Sequence, residues 1–290
     1  MEAIKQIIPL LLTLSLAGLV VSVGLNATRQ DLLYVLRRPK LLLKAVLAVD
    51  VIPPAAAILL CLFLPIDPMV KAGIVLMAIA PVPPLVPGQE LGVGARKEYA
   101  YGIYVAMALL TIVVVPIAMA AATHAFGRHD SVSLATMIKT VFTGVLVPLG
   151  IGMGLRALAP AFAARLAPWI YRLSMLLVAL AFLPIMVSIW PAMRGLFGNG
   201  AVLTMGAVVA ISLAGGHLLG GPERKDRATL AVASAVRHPG IAMMLANANF
   251  ADKHVTAAVL LFMLVGLAVG MPYKQWIKRS TAPAVDSARP

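Results

Sequence analysis

APVPPLVPGQ (residues 80–89) follows an apolar run and carries four prolines and a glycine within ten residues. Proline has no backbone N–H and its ring collides with the preceding turn, so no continuous helix passes through this stretch. A second interruption, SAVRHPGIA (residues 234–242), sits in another apolar run towards the other end of the chain. Each break frees backbone N–H and C=O groups. In hydrocarbon such groups are tolerated only against protein or a wet cavity, because lipid offers no partner. A single proline or glycine kink is common in membrane helices; two breaks in matching places carry more weight.

Composition fixes the environment. Of 290 residues, 61% are hydrophobic and only 12% charged, and the mean hydropathy is +0.96, more apolar than one soluble core can hide. Runs of about 20 apolar residues, enough for a helical crossing, recur from Ile7 to Met271. Strict alternation of polar and apolar residues, the mark of a membrane β-barrel, is missing, so the crossings are helical. The spacing predicts about nine of them, near 5–24, 41–64, 72–95, 99–122, 137–158, 167–190, 201–220, 228–250 and 255–272, in one all-α transmembrane domain over about 1–280. The first run is too long for a secretory leader and reads as a true membrane helix. The polar, proline-containing tail 281–290 is expected to be disordered. Cys61 is the single cysteine, which leaves no disulfide and no cysteine metal site.

Charge placement orients the chain. Of the 24 lysines and arginines, 17 fall on one side of the expected membrane, 6 on the other, and Arg237 stays within it. That asymmetry predicts an outside amino terminus and a cytoplasmic carboxyl terminus in the cell membrane. It also explains the +13 net charge without nucleic acid as a partner. With helices 1–4 and 6–9 taken as halves, the breaks in helices 3 and 8 occupy corresponding places. The offset of five crossings is odd, so the repeats are inverted. Paired interruptions in inverted repeats mark the central binding site of a secondary transporter.

VSVGLNATRQDLLYVLRRPKLLLKAV (21–46), AVDVIPPAAAILL (48–60), APVPPLVPGQELGVGARKEYAYG (80–102) and TLAVASAVRHPGIAMMLANANF (229–250) together resemble the bile acid:sodium symporter family of organic-anion transporters. The resemblance spans nearly the whole chain. It implies inverted repeats, two broken helices crossing at the midplane, alternating access and an organic-anion substrate. Position by position it also exposes a departure. The family's sodium-ligating glutamate falls on Ala233, its sodium-site glutamine on Arg237, the substrate-contacting asparagine beside it on His238, and a further sodium-site glutamine on Val49. The serine–asparagine pair of the first broken helix falls near Gly88 and Gln89. Sodium needs several hard oxygen ligands, so losing a carboxylate and amides and gaining a cation argues against sodium at that place.

Arg237 is the costliest residue to insert, at about 3 kcal/mol for a helix-centre arginine. Three readings compete. Its guanidinium replaces the missing sodium, held by Glu90 or Asp50; it binds the substrate carboxylate, which a planar fork suits; or it snorkels to the surface. Asp50 and Glu90 are the carboxylates within the expected spans, and either could exchange a proton, making proton coupling the counterpart of lost sodium coupling; a static ion pair is the plainer alternative. His238 could shuttle a proton, contact substrate, or cap freed carbonyls. Free amides after Pro239 and near Gly88 favour an anionic ligand, which puts Arg237, His238, Pro239, Gly88 and Gln89 on the candidate substrate surface. His124, His129 and His217 have no acid or cysteine at ligand spacing, so no metal site is expected. No phosphate-binding loop and no cofactor motif occurs. The sequence thus predicts a secondary transporter of a small organic anion, proton-coupled or uncoupled, with a sodium symporter using a relocated ion site as the alternative, and a passive channel or an intramembrane enzyme as readings of another class.

Overall fold

A computed structural model describes residues 2–127, 134–250 and 252–281, with side chains from residue 10 onward. Arg128, His129 and nearly all of the tail at 281–290 lie outside the described residues. Among those described, the chain is helical and has no strand. The helices are α1 (Glu2–Asn26), α2 (Arg29–Leu36), α3 (Pro39–Phe63), α4 (Pro68–Ile79), α5 (Val86–Leu91), α6 (Lys97–Ala125), α7 (Leu134–Leu158), α8 (Pro160–Arg194), α9 (Ala201–Leu219), α10 (Arg224–Ala235), α11 (Pro239–Asn249) and α12 (Lys253–Thr281).

Seven spans, α3, α6, α7, α8, α9, α10 with α11, and α12, are long and apolar enough to cross a bilayer, and an eighth counts if α1 and α2 are taken together. The expected third crossing over 72–95 is not one helix: α4 stops at Ile79 after 12 residues, the prolines from Pro81 to Pro84 run non-helically, and α5 adds six more. The eighth divides at Val236–His238 into α10 and α11. Both breaks therefore fall where proline had placed them.

One element was not expected. Residues 29–36, read as a loop, form α2, bent by 81° from α1. Thr28 starts it with a capping box: the Asp31 amide donates to the Thr28 hydroxyl at 3.2 Å and the Thr28 amide to the Asp31 carboxylate at 2.7 Å. One helix also runs longer than its expected span. α8 extends over 35 residues with Pro168, Pro184 and Pro191 inside it.

Packing divides the helices. α1 lies along α7 and α8, while α3 to α6 and α9 to α12 make a second, larger group. α1 meets α7 backbone to backbone: a Cβ on Gly24 would lie 2.6 Å from the Leu149 carbonyl, and one on Gly152 would collide with the Val21 carbonyl. Burial runs in opposite directions on the two broken-helix and flanking elements. In the α10–α11 span 83% of the apolar window is buried, against 11% for α8, whose exposed Trp169, Leu173, Leu176, Leu180, Leu183 and Val187 line one face as a lipid-facing helix requires.

Contacts tie the basic connections to one end. Arg96 bonds Asp226, Arg224 bonds the Ser280 carbonyl, and Lys274 bonds Gln89. Gly152→Leu is expected to destabilise the protein by about 1–3 kcal/mol through overpacking, seen as a lowered unfolding temperature in detergent. Gly150→Leu, where a Cβ meets nothing within 4 Å, should leave that temperature unchanged.

Candidate functional site

Carbonyls lost to proline are the raw material of the site. In an α-helix each C=O accepts from the amide four residues on. Pro53 stands four residues after Val49, and Pro84 four after Ala80, so neither carbonyl has its ordinary donor. Helix α3 answers locally by widening into a π-turn over Leu47–Val51, in which the Ile52 amide reaches back to the Leu47 carbonyl. That leaves the Ala48 carbonyl short as well. At the second break the His238 amide donates to the Pro81 carbonyl at 2.9 Å and so gives up its partner within the helix, Ser234.

Arg237 supplies the missing donors. Its Nη1 donates to the Ala80 carbonyl at 3.4 Å, and its Nη2 donates to the Val49 carbonyl and, at 2.9 Å, to the Ser234 carbonyl. The Ser234 hydroxyl lies 2.8 Å from the Ala48 carbonyl and 2.6 Å from that of Ser212. One guanidinium thus joins α3 and both breaks. An unpaired buried acceptor costs about 1–3 kcal/mol, so this is a large share of what holds the crossing together.

Two expectations for Arg237 are corrected. It does not snorkel, being 4% exposed, because turning outward would strand three carbonyls. Nor does it form an ion pair within 4 Å with Asp50 or Glu90: among the described residues its polar partners are backbone oxygens. The Asp50 Oδ2, both Glu90 carboxylate oxygens, the Tyr104 hydroxyl and the Arg237 Nε are buried without a hydrogen-bond partner. Glu90, on α5, is fully enclosed. Ala233 is also fully buried, in a wall of the same helix that carries Ser234.

The His238 ring caps a freed amide at the start of α11 rather than a freed carbonyl. Its Nδ1 accepts from the Ile241 amide at 3.3 Å, so the ring caps the start of α11 and its Nε2 is left buried without a partner. The amino terminus of α11 is closed by its own histidine, and Pro239 beside it is only part-buried. Gly240 comes against Leu16 of α1, where any Cβ would collide, so the second break touches the smaller helix group here.

Gly88 belongs to a different space. It is exposed and lines a cleft of about 260 Å³ between the first break, α1, α6 and α8, with Ser22, Asn26, Tyr101 and Arg172 as its polar walls. Gln89 turns the other way: its Oε1 accepts from Lys274 Nζ at 3.0 Å. Lys274 and Arg237 share a small cavity of about 50 Å³ between α9, α10 and α12. The sequence-predicted residues therefore separate into a buried knot of Arg237 and His238, and a cleft reached by Gly88. Sequence reading missed Asn26, Tyr101, Arg172 and Lys274. Arg172 and Lys274 count among the 17 bases on one side of the expected membrane, and helix rotation, which decides what they face, is not written in composition.

Two broken helices crossing inside an enclosed bundle, flanked by lipid-facing spans, define an integral multi-pass membrane protein of the transporter type. A family model described as the Sodium Bile acid symporter family matches residues 13–190. The chain belongs to that family, whose members are transporters rather than enzymes and are typically sodium-coupled. The match ends before the second break, where Ala233, Arg237 and His238 stand. A search of curated proteins finds no match.

Arg237→Met is expected to cost several times the about 1–3 kcal/mol of one unpaired buried acceptor, since three carbonyls lose their donor. Arg237→Lys, a compact point charge without the planar fork, should fall between. Unfolding temperatures of the three proteins in one detergent check the order.

Proposed function

We propose that the protein is a secondary active transporter that moves a small organic anion across the cell membrane by alternating access, without the sodium sites usual in its family and with protons as the driving ion. The observation that carries this reading is the Arg237 guanidinium held by the Ala80, Val49 and Ser234 carbonyls. Hard backbone oxygens of that kind are what a sodium ion requires. Here they are engaged by a cation fixed to the chain, and a cation that cannot leave cannot carry a gradient.

Protons would act through Asp50, beside the Val49 carbonyl, and Glu90, on the arm between the first break and α6. Both carry buried oxygens without hydrogen-bond partners. A static acid would be expected to have such partners, whereas one that gains and loses a proton during a cycle need not keep them in every conformation. The carboxylate of the substrate is assigned to the cleft at Gly88, with Arg172 as its fork and Asn26 and Tyr101 as neutral donors. At about 260 Å³ the cleft suits a compact anion better than a steroid-sized one, since drug-sized ligands occupy about 300–1,000 Å³. Alternating access would rock α3 to α6 and α9 to α12 against α1, α7 and α8. The basic end of the bundle would face the cytoplasm.

Uptake of small carboxylates into proteoliposomes tests each part. Saturable counterflow without sodium, accelerated by an inward proton gradient, is expected. Strict sodium dependence would overturn the reading. Asp50→Asn and Glu90→Gln should flatten the pH dependence of uptake, and pH dependence unchanged in both would remove protons from these acids. Arg172→Gln should reduce uptake by about tenfold or more, the worth of one charged, bidentate contact, while leaving the unfolding temperature in place.

A further inference from the structure

We propose that the outer face of α2 is a binding site for the phosphate of an anionic phospholipid. α2 leaves α1 at 81°, so with α1 crossing the bilayer, α2 lies near the plane of its surface. The turn is built to hold it there. Thr28 and Asp31 close the capping box, Val35 is fully buried, and Gly102 of α6 admits the α2 backbone at Asp31, where any Cβ would collide. One face of α2 is thereby seated on protein.

The other face is basic. Arg29, Arg37 and Arg38 are exposed and line a groove of about 620 Å³ with Tyr34, Leu33 and a single acid, Glu98. The Arg38 guanidinium is stacked 3.6 Å from the centre of the Tyr34 ring and donates to the Tyr34 carbonyl at 3.5 Å. Stacking holds a guanidinium flat and leaves its outer edge for a phosphate, which a planar fork recognises in a way an ammonium does not. Lys40 and Lys44 follow at the start of α3, both exposed. Beside them Leu36 and Leu43 are 46% and 59% exposed, apolar groups where acyl chains would run. Positive groups in a groove at the depth of the headgroups, with leucines just inside, fit an anionic lipid rather than a soluble anion. The site is separate from the Arg237 knot and from the Gly88 cleft.

The test uses the purified full chain in detergent, titrated with phosphatidylglycerol or phosphatidylcholine, with retained lipid counted by native mass spectrometry and unfolding temperature read in parallel. Phosphatidylglycerol should bind about tenfold more tightly than phosphatidylcholine, and in the triple variant R29Q/R37Q/R38Q the preference should fall to about twofold or less. The unfolding temperature without added lipid should not move. The triple Arg→Lys variant, keeping charge and losing the fork, should show an intermediate preference. No preference in the unaltered protein, a preference retained by the glutamine variant, or displacement of the lipid by inorganic phosphate at matched concentration would each overturn the proposal. Should the glutamine triple not fold, R37Q/R38Q, altered only at exposed residues, reads the same comparison.

Discussion

The crossing of the two breaks depends on one guanidinium answering carbonyls that proline has left without donors. Pro53 and Pro84 remove the amides owed to Val49 and Ala80, and the His238 amide, drawn to Pro81, leaves Ser234 open. Arg237 meets all three. In lipid surroundings water cannot take this role, so Arg237, with the His238 amide on the Pro81 carbonyl and the Ser234 hydroxyl at the Ala48 carbonyl, ties α3, the first break and the second break to one another. The remaining elements arrange themselves around that fixed crossing: α9 and α12 pack outside it, and α1, α7 and α8 stand against it at Gly240 and Leu16.

The same accounting separates two kinds of polar group in the interior. The backbone oxygens of Ala80, Val49, Ser234 and Pro81 are answered, by Arg237 and by the His238 amide. The Asp50 Oδ2 and both Glu90 carboxylate oxygens are not. A structural network would be closed in both respects, because an unpaired buried polar group is expensive. The bonded carbonyls belong to architecture, and the two acids, with the Tyr104 hydroxyl, the Arg237 Nε and the His238 Nε2, are the open polar atoms around it.

Much of the fold was legible in the sequence because the bilayer imposes few solutions. Apolar runs marked seven spans, or eight with α1 and α2 together, and the Arg96–Asp226 and Arg224–Ser280 contacts bring several of the basic connections together. Prolines located both breaks. The α2 helix was missed although its capping pair, Thr28 and Asp31, is written in the chain, because eight residues with three charges show no apolar run. The backbone partners of Arg237 were not among the three readings open for it, for a more instructive reason. Opposite charge was the obvious answer for a buried cation, yet counting four residues back from Pro53 and Pro84 points to two bare carbonyls. Arg172 and Lys274 were beyond reach, since both sit at the basic end and only helix rotation distinguishes a cavity-lining base from one facing water.

The acceptors in this knot are main-chain oxygens, so no substitution of a neighbouring side chain can abolish them. They persist as long as the prolines do. What heredity can vary is the donor, and position 237 alone decides whether those oxygens hold a tethered cation or stand open to water or a free ion. Exchanging that one residue would free these oxygens, while Val49 and Ala233, where the resemblance places further sodium ligands, would still present apolar side chains.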